Sequence, residues 1–252
     1  VRGLADSVEG SLGLLEAQEG GRLWVLTNAR SHFWGANDLG ARARLFSVTL
    51  GIEGEFRLVD GEMELDLRLV DPADGSVLRT IEIADDALNV LALQTEPLMM
   101  LAEAFGIEVD AETSSRLVLA ATNIVAAYRP YLSGLGMYRM AEDEEGLDRA
   151  VSTLERAVKE DATFAPAAAV LSRVYARRHI LSRSEDDLAS ARTWAQRAIT
   201  VAPEVPHGYQ SMAEVERISG NAAAELANLE KAVEVAPNCC GPQHALALAL
   251  DR

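Results

Sequence analysis

Cysteine is nearly absent. The two cysteines, Cys239 and Cys240, are adjacent. Neighbouring cysteines seldom bond to each other because the geometry is strained, so no disulfide framework follows. No Cys-x-x-Cys spacing exists, which removes a structural zinc or dithiol motif. The pair reads as filler at a helix start. Histidine is scarce too: His32, His179, His207 and His244 are scattered, and no two have metal-ligand spacing. Positive charge is in deficit, with 23 Lys and Arg against 39 Asp and Glu, a net charge of −16. That balance repels phosphate backbones and anionic bilayers, and it argues against nucleic-acid binding and direct membrane contact. No uncharged apolar run of about 18 residues occurs, so no transmembrane helix is read. The opening VRGLADSVEG lacks the basic start and apolar run of a secretory signal. Neither absence assigns a compartment.

Signatures of chemistry are missing as well. GSLG (10–13) and GIEG (51–54) lack the lysine and the strand–loop–helix context of a phosphate loop. No serine sits in a Gly-x-Ser-x-Gly elbow. The acidic runs Glu142–Glu145 and Glu185–Asp187 lack the calcium-loop pattern and read as solvated turns. Trp24 and Trp34 flank a candidate strand and read as packing residues. No catalytic residue, metal or cofactor is expected, and the chain reads as non-enzymatic.

What is present changes character along the 252 residues. Leu4, Val8, Leu12 and Leu15 give residues 3–19 a helical period, and residues 23–28 read as a strand. A second helix is expected over 39–46 and a strand over 46–59, bending at Gly51 or Gly54. Asp60-Gly61 is a hairpin turn signal. In 63–71, Met63, Leu65, Leu67 and Leu69 alternate with Glu64, Asp66 and Arg68, as in a strand with one dry and one wet face. DPADG (71–75) turns the chain into a third meander strand, 76–83, at an edge or with a solvated face. Thr95 is placed as the cap of a helix with Pro97 in its first turn and Gly106 at its end. Residues 1–110 thus read as a small α/β sandwich with an antiparallel meander. After about 112 the strand pattern gives way to alanine-rich helical periods, so 111–252 reads as an all-α domain. The fold class is α+β.

The second part repeats. In LDRAVSTLERAVKEDATFAPA, LASARTWAQRAITVAPEVPHG and AAAELANLEKAVEVAPNCCGP, Ala157, Ala198 and Ala232 hold one equivalent place. Ala162, Pro203 and Pro237 hold the next, five residues on. Pro203 to Pro237 spans 34 residues; Ala162 to Pro203 spans 41, so the middle unit carries seven extra residues. They are expected in a longer turn at 177–189, with Ser182 or Ser184 capping the next helix. In the preceding helices, Ala168, Leu171, Ser172 and Tyr175 match Tyr209, Met212, Ala213 and Glu216. Small residues at Ser172 and Ala213 let helices approach closely. Gly220-Asn221 makes the short turn of the last full unit, and Thr122 is placed as cap of the first. A period of 34 is that of the tetratricopeptide (TPR) repeat, in which helix pairs must stack to bury their apolar faces. About three pairs and a terminal helix are expected.

Residues 126–176 resemble the TPR region that follows the signalling domain in bacterial adenylate cyclases, winged-helix regulators and Ser/Thr kinases. Ala127-Tyr128, Tyr131-Leu132, Gly134, Glu145-Gly146-Leu147 and Phe164-Ala165 carry the likeness; Leu154 replaces the usual aromatic and Ala162 the usual proline. Residues 3–105 resemble the amino-terminal domain of TolB and FlgO, through LADSVEGSL, LWVLTNARS, DLGARAR, IEGEFRL, LRLVDPADGSVL and LALQTE. The strand that precedes the first helix in that family has no counterpart here. The resemblance implies a protein-interaction or sensory module of a bacterial signalling protein. The alternatives are an envelope assembly scaffold, or small-ligand binding in the crevice between the two parts. A protein or peptide partner is expected, with a homodimer through strand 76–83 as a further option. In a TPR stack the first helices line the concave surface, which selects Arg173, Arg177, His207, Gln210, Glu214, Arg217 and His244 as groove residues, beside Ala169 and Ala176. Arg173 and Arg217 are singled out as equivalent positions in successive units, where a guanidinium can grip a carboxylate or carbonyl.

Overall fold

The computed structural model describes residues 47–59, 62–85, 90–236 and 240–251, together with Leu12, Leu15, Gln18, Glu19, Leu23, Gly40 and Ala43. Residues 24–28 of the expected strand 23–28 and the turn Asp60-Gly61 lie outside these residues, as do Cys239, both early tryptophans and most of the two early helices. Leu12 and Leu15 are helical and buried, on the face the periodicity assigns to the core.

Three antiparallel strands, β1 (Gly51–Val59), β2 (Glu62–Val70) and β3 (Val77–Asp85), form a meander in the order β1-β2-β3. β1 starts later than the pattern suggests, because Ser47 takes a left-handed φ of 55° and residues 48–50 are irregular. It runs without a break through Gly54, where an added Cβ would come within 3.0 Å of Leu67. Glycine there lets β1 and β2 close up rather than bend. Leu67 and Leu69 are buried and Arg68 is exposed, as alternation requires. The Asp71–Gly75 turn is held by its aspartates: Asp71 accepts from the Ala73 N–H and Asp74 from the Ser76 N–H, both at 2.8 Å. Gly75 supplies the φ of 75°.

Helix α1 (Val90–Phe105) follows, then α2 (Ala111–Leu119). Thr95 does not cap α1. The helix begins five residues earlier on the apolar run Val90-Leu91-Ala92-Leu93, and Thr95 lies inside it, its hydroxyl donating to the Leu91 carbonyl at 3.0 Å. Pro97 is consequently interior, and Leu98, Leu101 and Ala102 bury the face that packs on Ile81 of β3. α2 is capped by Asp110, which accepts from the Thr113 N–H at 2.7 Å.

The rest of the described chain is helical: α3 (Val125–Met140), α4 (Glu144–Glu160), α5 (Ala165–Ser182), α6 (Glu185–Val201), α7 (Pro206–Ile218), α8 (Ala222–Val235) and α9 (Cys240–Leu250). These form the pairs α3/α4, α5/α6 and α7/α8, with α9 packed on α8. Each second helix starts on a polar cap. Asp143, Ser184 and Asn221 accept from Gly146, Asp187 and Ala224 N–H respectively. Each ends alike, with the N–H of Asp161, Ala202 and Ala236 donating to the carbonyl of Ala157, Ala198 and Ala232. Those three alanines are at most 1% exposed. α5 and α7 instead open on Pro166 and Pro206, at positions whose N–H has no helical partner to lose.

Thr122 is not a helix cap; α3 starts after Ile124 without a side-chain cap. Thr122 is buried, and its hydroxyl donates to Asp161 at 2.6 Å. The Gln94 amide brackets its backbone, donating to the Thr122 carbonyl at 2.7 Å and accepting from its N–H at 3.1 Å. This buried chain of bonds ties α1 to the α4–α5 turn. Burial alone would raise the Asp161 pKa, but bonds from the Thr122 and Thr163 hydroxyls and from backbone N–H groups outweigh it and hold the carboxyl below its usual range. One apolar cluster runs from Leu67, Leu69 and Ile81 through Leu98 and Leu101 to Tyr128, Leu154 and Leu171.

The seven extra residues of the middle unit are not a longer turn. α5 has 18 residues against 13 in α7, and α6 has 17 against 14 in α8. Only Arg183 and Ser184 link α5 to α6, Arg183 in the left-handed region at φ 60°. The insertion is helix because VYARRHILS holds no glycine or proline, and because its own side chains cap the tip. Ser182 and Arg178 both bond Asp187.

Candidate functional site

A groove of about 380 Å3 opens along the first helices of the pairs. Its walls come from α5 (Pro166, Ala169, Val170, Arg173), α7 (His207, Gln210, Ser211, Ala213, Glu214, Arg217), α8 (Glu225, Leu229) and α9 (Ala245, Leu248), and Tyr131 of α3 reaches it. The size suits a few side chains of an extended segment. α5 and α7 are held close there by small residues. Ser211 donates to the Ala169 carbonyl at 3.1 Å, a bond that needs alanine on one side and a short hydroxyl on the other.

Four of the expected residues, His207, Gln210, Glu214 and Arg217, meet Arg173 in this groove. Arg173 and Arg217 are not equivalent, however. The offset between these units is 41, as in Ser172 and Ala213, so the counterpart of Arg173 is Glu214. The two pair across the groove wall, Arg173 Nε to Glu214 Oε2 at 3.4 Å, and the Arg173 guanidinium also lies 5.7 Å from the centre of the Tyr138 ring. Arg173 is therefore engaged by the stack itself. Arg217 is exposed, and no ion pair involves it among the described residues.

Arg177 does not line the groove. It turns to the end of α3, donating to the carbonyls of Tyr138 at 3.2 Å and Ala141 at 2.6 Å, where unsatisfied helix carbonyls attract a cation. His244 is exposed on α9 but does not line the groove either. Ala169 and Ala176 are buried rather than exposed, because α7 packs over that side of α5. His207 is exposed by surface area yet crowded by the groove walls; that loss of hydration, then the charge of Arg173, lowers its pKa and keeps the ring neutral. Sequence reasoning missed Glu225. It is buried on α8 at the place held by Ala150 and Ala191 in the preceding units, and this departure from a small residue was the available signal.

No protein-family description matches the sequence, and no curated protein does. Among solved structures, the chain is similar to that of a thermophilic TPR protein of Thermus thermophilus. The two are 22% identical with a TM-score of 0.44, over 64% of this chain and 80% of the other. Among the described residues the chain is mostly helical, with a three-stranded antiparallel sheet and a region of helix pairs from Val125 to Val235. No helix among the described residues is long and apolar enough to cross a membrane.

Proposed function

We propose that this chain is a non-catalytic protein-interaction and sensory module of a bacterial signalling protein. In this reading residues 1–110 are a TolB-N/FlgO-like domain, residues 111–252 are a TPR solenoid, and the groove along α5, α7 and α9 receives an extended segment of a partner protein. The observation that carries it is the groove's composition. Val170, Ala213, Leu229 and Leu248 give it an apolar floor, and a few polar groups converge from α7. That is the make-up of a binding site: apolar walls with a few polar groups that fix orientation.

Arg217 is the anchor in this reading, and Arg173 a support for the wall. Peptides selected against the whole chain provide the ligand, and titration calorimetry the measurement. Arg217→Ala weakens binding by about 2 kcal/mol if the guanidinium is desolvated on binding, with stability unchanged. Unchanged affinity in Arg217→Ala, or selected peptides that do not compete with one another for the groove, overturns the assignment.

A further inference from the structure

The seven-residue insertion serves no purpose in the groove, since it lengthens α5 and α6 away from it. What it builds is a hairpin tip fixed from within. Arg178 lies at the centre, its Nε donating to Asp187 at 3.0 Å and its Nη1 to Asp148 of α4 at 2.8 Å. Ser182 donates to the second Asp187 oxygen, and the buried His179 ring nitrogen donates to the Ser184 carbonyl at 2.7 Å. Each of these polar groups is satisfied by its neighbours. Yet the same two turns hold Ile180 42% and Leu181 48% exposed.

A third apolar side chain belongs to this end of the stack. Arg177, one turn before Leu181, reaches the carbonyls of Tyr138 and Ala141, and between them sits Met140, 61% exposed. Acids flank these three along the chain. Glu142 and Glu144 lie at the start of α4 and Glu185 and Asp186 at the start of α6, all exposed and without an ion pair among the described residues. Most cations here are engaged, Arg177 by carbonyls, Arg178 by two aspartates and Arg149 by Glu145, while Arg183 in the two-residue link is exposed among four acids.

We propose that this tip is a second docking surface, separate from the groove, that receives a cationic amphipathic helix of a partner protein. The apolar centre fits the stripe of such a helix, and the acidic surround fits its lysine or arginine flanks. The pre-formed ion-pair frame leaves little ordering cost on binding. The proposal stands independently of the groove, since neither surface contributes a residue to the other.

The test uses the whole chain, labelled with 15N, and a synthetic helix of Leu and Lys with Leu every three to four residues. The same helix with Glu for Lys is the control. Amide shifts are expected at residues 138–148 and 177–188 with the Lys helix and absent with the Glu helix. Ile180→Ser with Leu181→Ser weakens binding about ten-fold or more, and Glu185→Gln with Asp186→Asn weakens it and flattens its salt dependence. Both pairs are surface changes, so the fold is checked by the dispersion of the same spectra. Shifts confined to the groove, shifts spread over the acidic surface, no shifts at all, or unchanged affinity in both variants overturn the proposal.

Discussion

Gly208 is where the stacking of one helix pair on the next can be tested most sharply. It lies in the first turn of α7, directly over the last turn of α6. A Cβ added there would sit 2.7 Å from the Ile199 backbone nitrogen, 2.8 Å from Ile199 Cγ1 and 3.0 Å from the Ala198 carbonyl carbon. Carbon contacts ordinarily settle near 3.5–4.0 Å. Two of the three obstacles are helix backbone, and that turn is pinned by the Ala202 N–H bond to the Ala198 carbonyl at 3.1 Å. α7 must therefore retreat by most of an ångström. Such overpacking costs about 1–3 kcal/mol, while Gly→Ala in a helix returns about 1 kcal/mol at most, less in a first turn. Gly208→Ala should lose roughly 1–2 kcal/mol, or a few degrees in Tm for a chain of this size. Urea unfolding gives the loss, and hydrogen exchange shows whether α6 and α7 amides carry it. Gly220→Ala is the comparison: its φ of 74° strains any side chain, but nothing lies within 4 Å, so its effect should stay in the α7–α8 turn. Unchanged or increased stability in Gly208→Ala, with α6 and α7 exchange unaltered, would refute the close approach.

Ser172→Ala should leave stability unchanged or raise it by about 1 kcal/mol, because the Ser172 hydroxyl is fully buried without a hydrogen-bond partner among the described residues and its counterpart is already Ala213; a clear loss in thermal unfolding would contradict this. The Asp161 carboxyl is held below its usual range in the fold, so its contribution is complete above about pH 4, the unfolded value, and disappears as pH falls through the folded one. Thr122→Val removes the 2.6 Å donor and should shallow that acid limb in stability–pH curves. The Tyr175 phenol is pushed up to about 12, first by burial and then by its bond to Glu155 and that carboxylate's charge. Ultraviolet titration should show the Tyr175 phenol ionising late, and Glu155→Gln should bring it down; no change would remove the assigned cause.

Much of the helical region was legible from spacing. Ala157, Ala198 and Ala232 are small because each lies where two helices touch, and a contact repeated in space must repeat in the chain. The meander was legible too, since Leu67 and Leu69 can both be dry only on one face of a strand. The misreadings share a cause: one residue type suits several local roles. Thr95 before Pro97 resembles a helix start, but the helix already begins at Val90, and the Thr95 hydroxyl bonds back to the Leu91 carbonyl inside it. Thr122 resembles a cap, but Gln94 and Asp161, 28 residues before it and 39 after it, claim it.

The sequence by itself determined the meander of three strands, the helix pairs that follow Val125, the repeat offsets of 41 and 34, and the small residues in the helix seams, because each of these is a local or periodic constraint. Only the tertiary structure decided which charges remain available. Arg173 is engaged by Glu214, Arg177 by the end of α3 and Arg178 by two aspartates, while Arg217 is exposed and has no ion pair among the described residues. It also decided that the insertion stands out as helix instead of lying over the stack as loop. A side chain's partner depends on elements tens of residues away, and no local pattern encodes that distance.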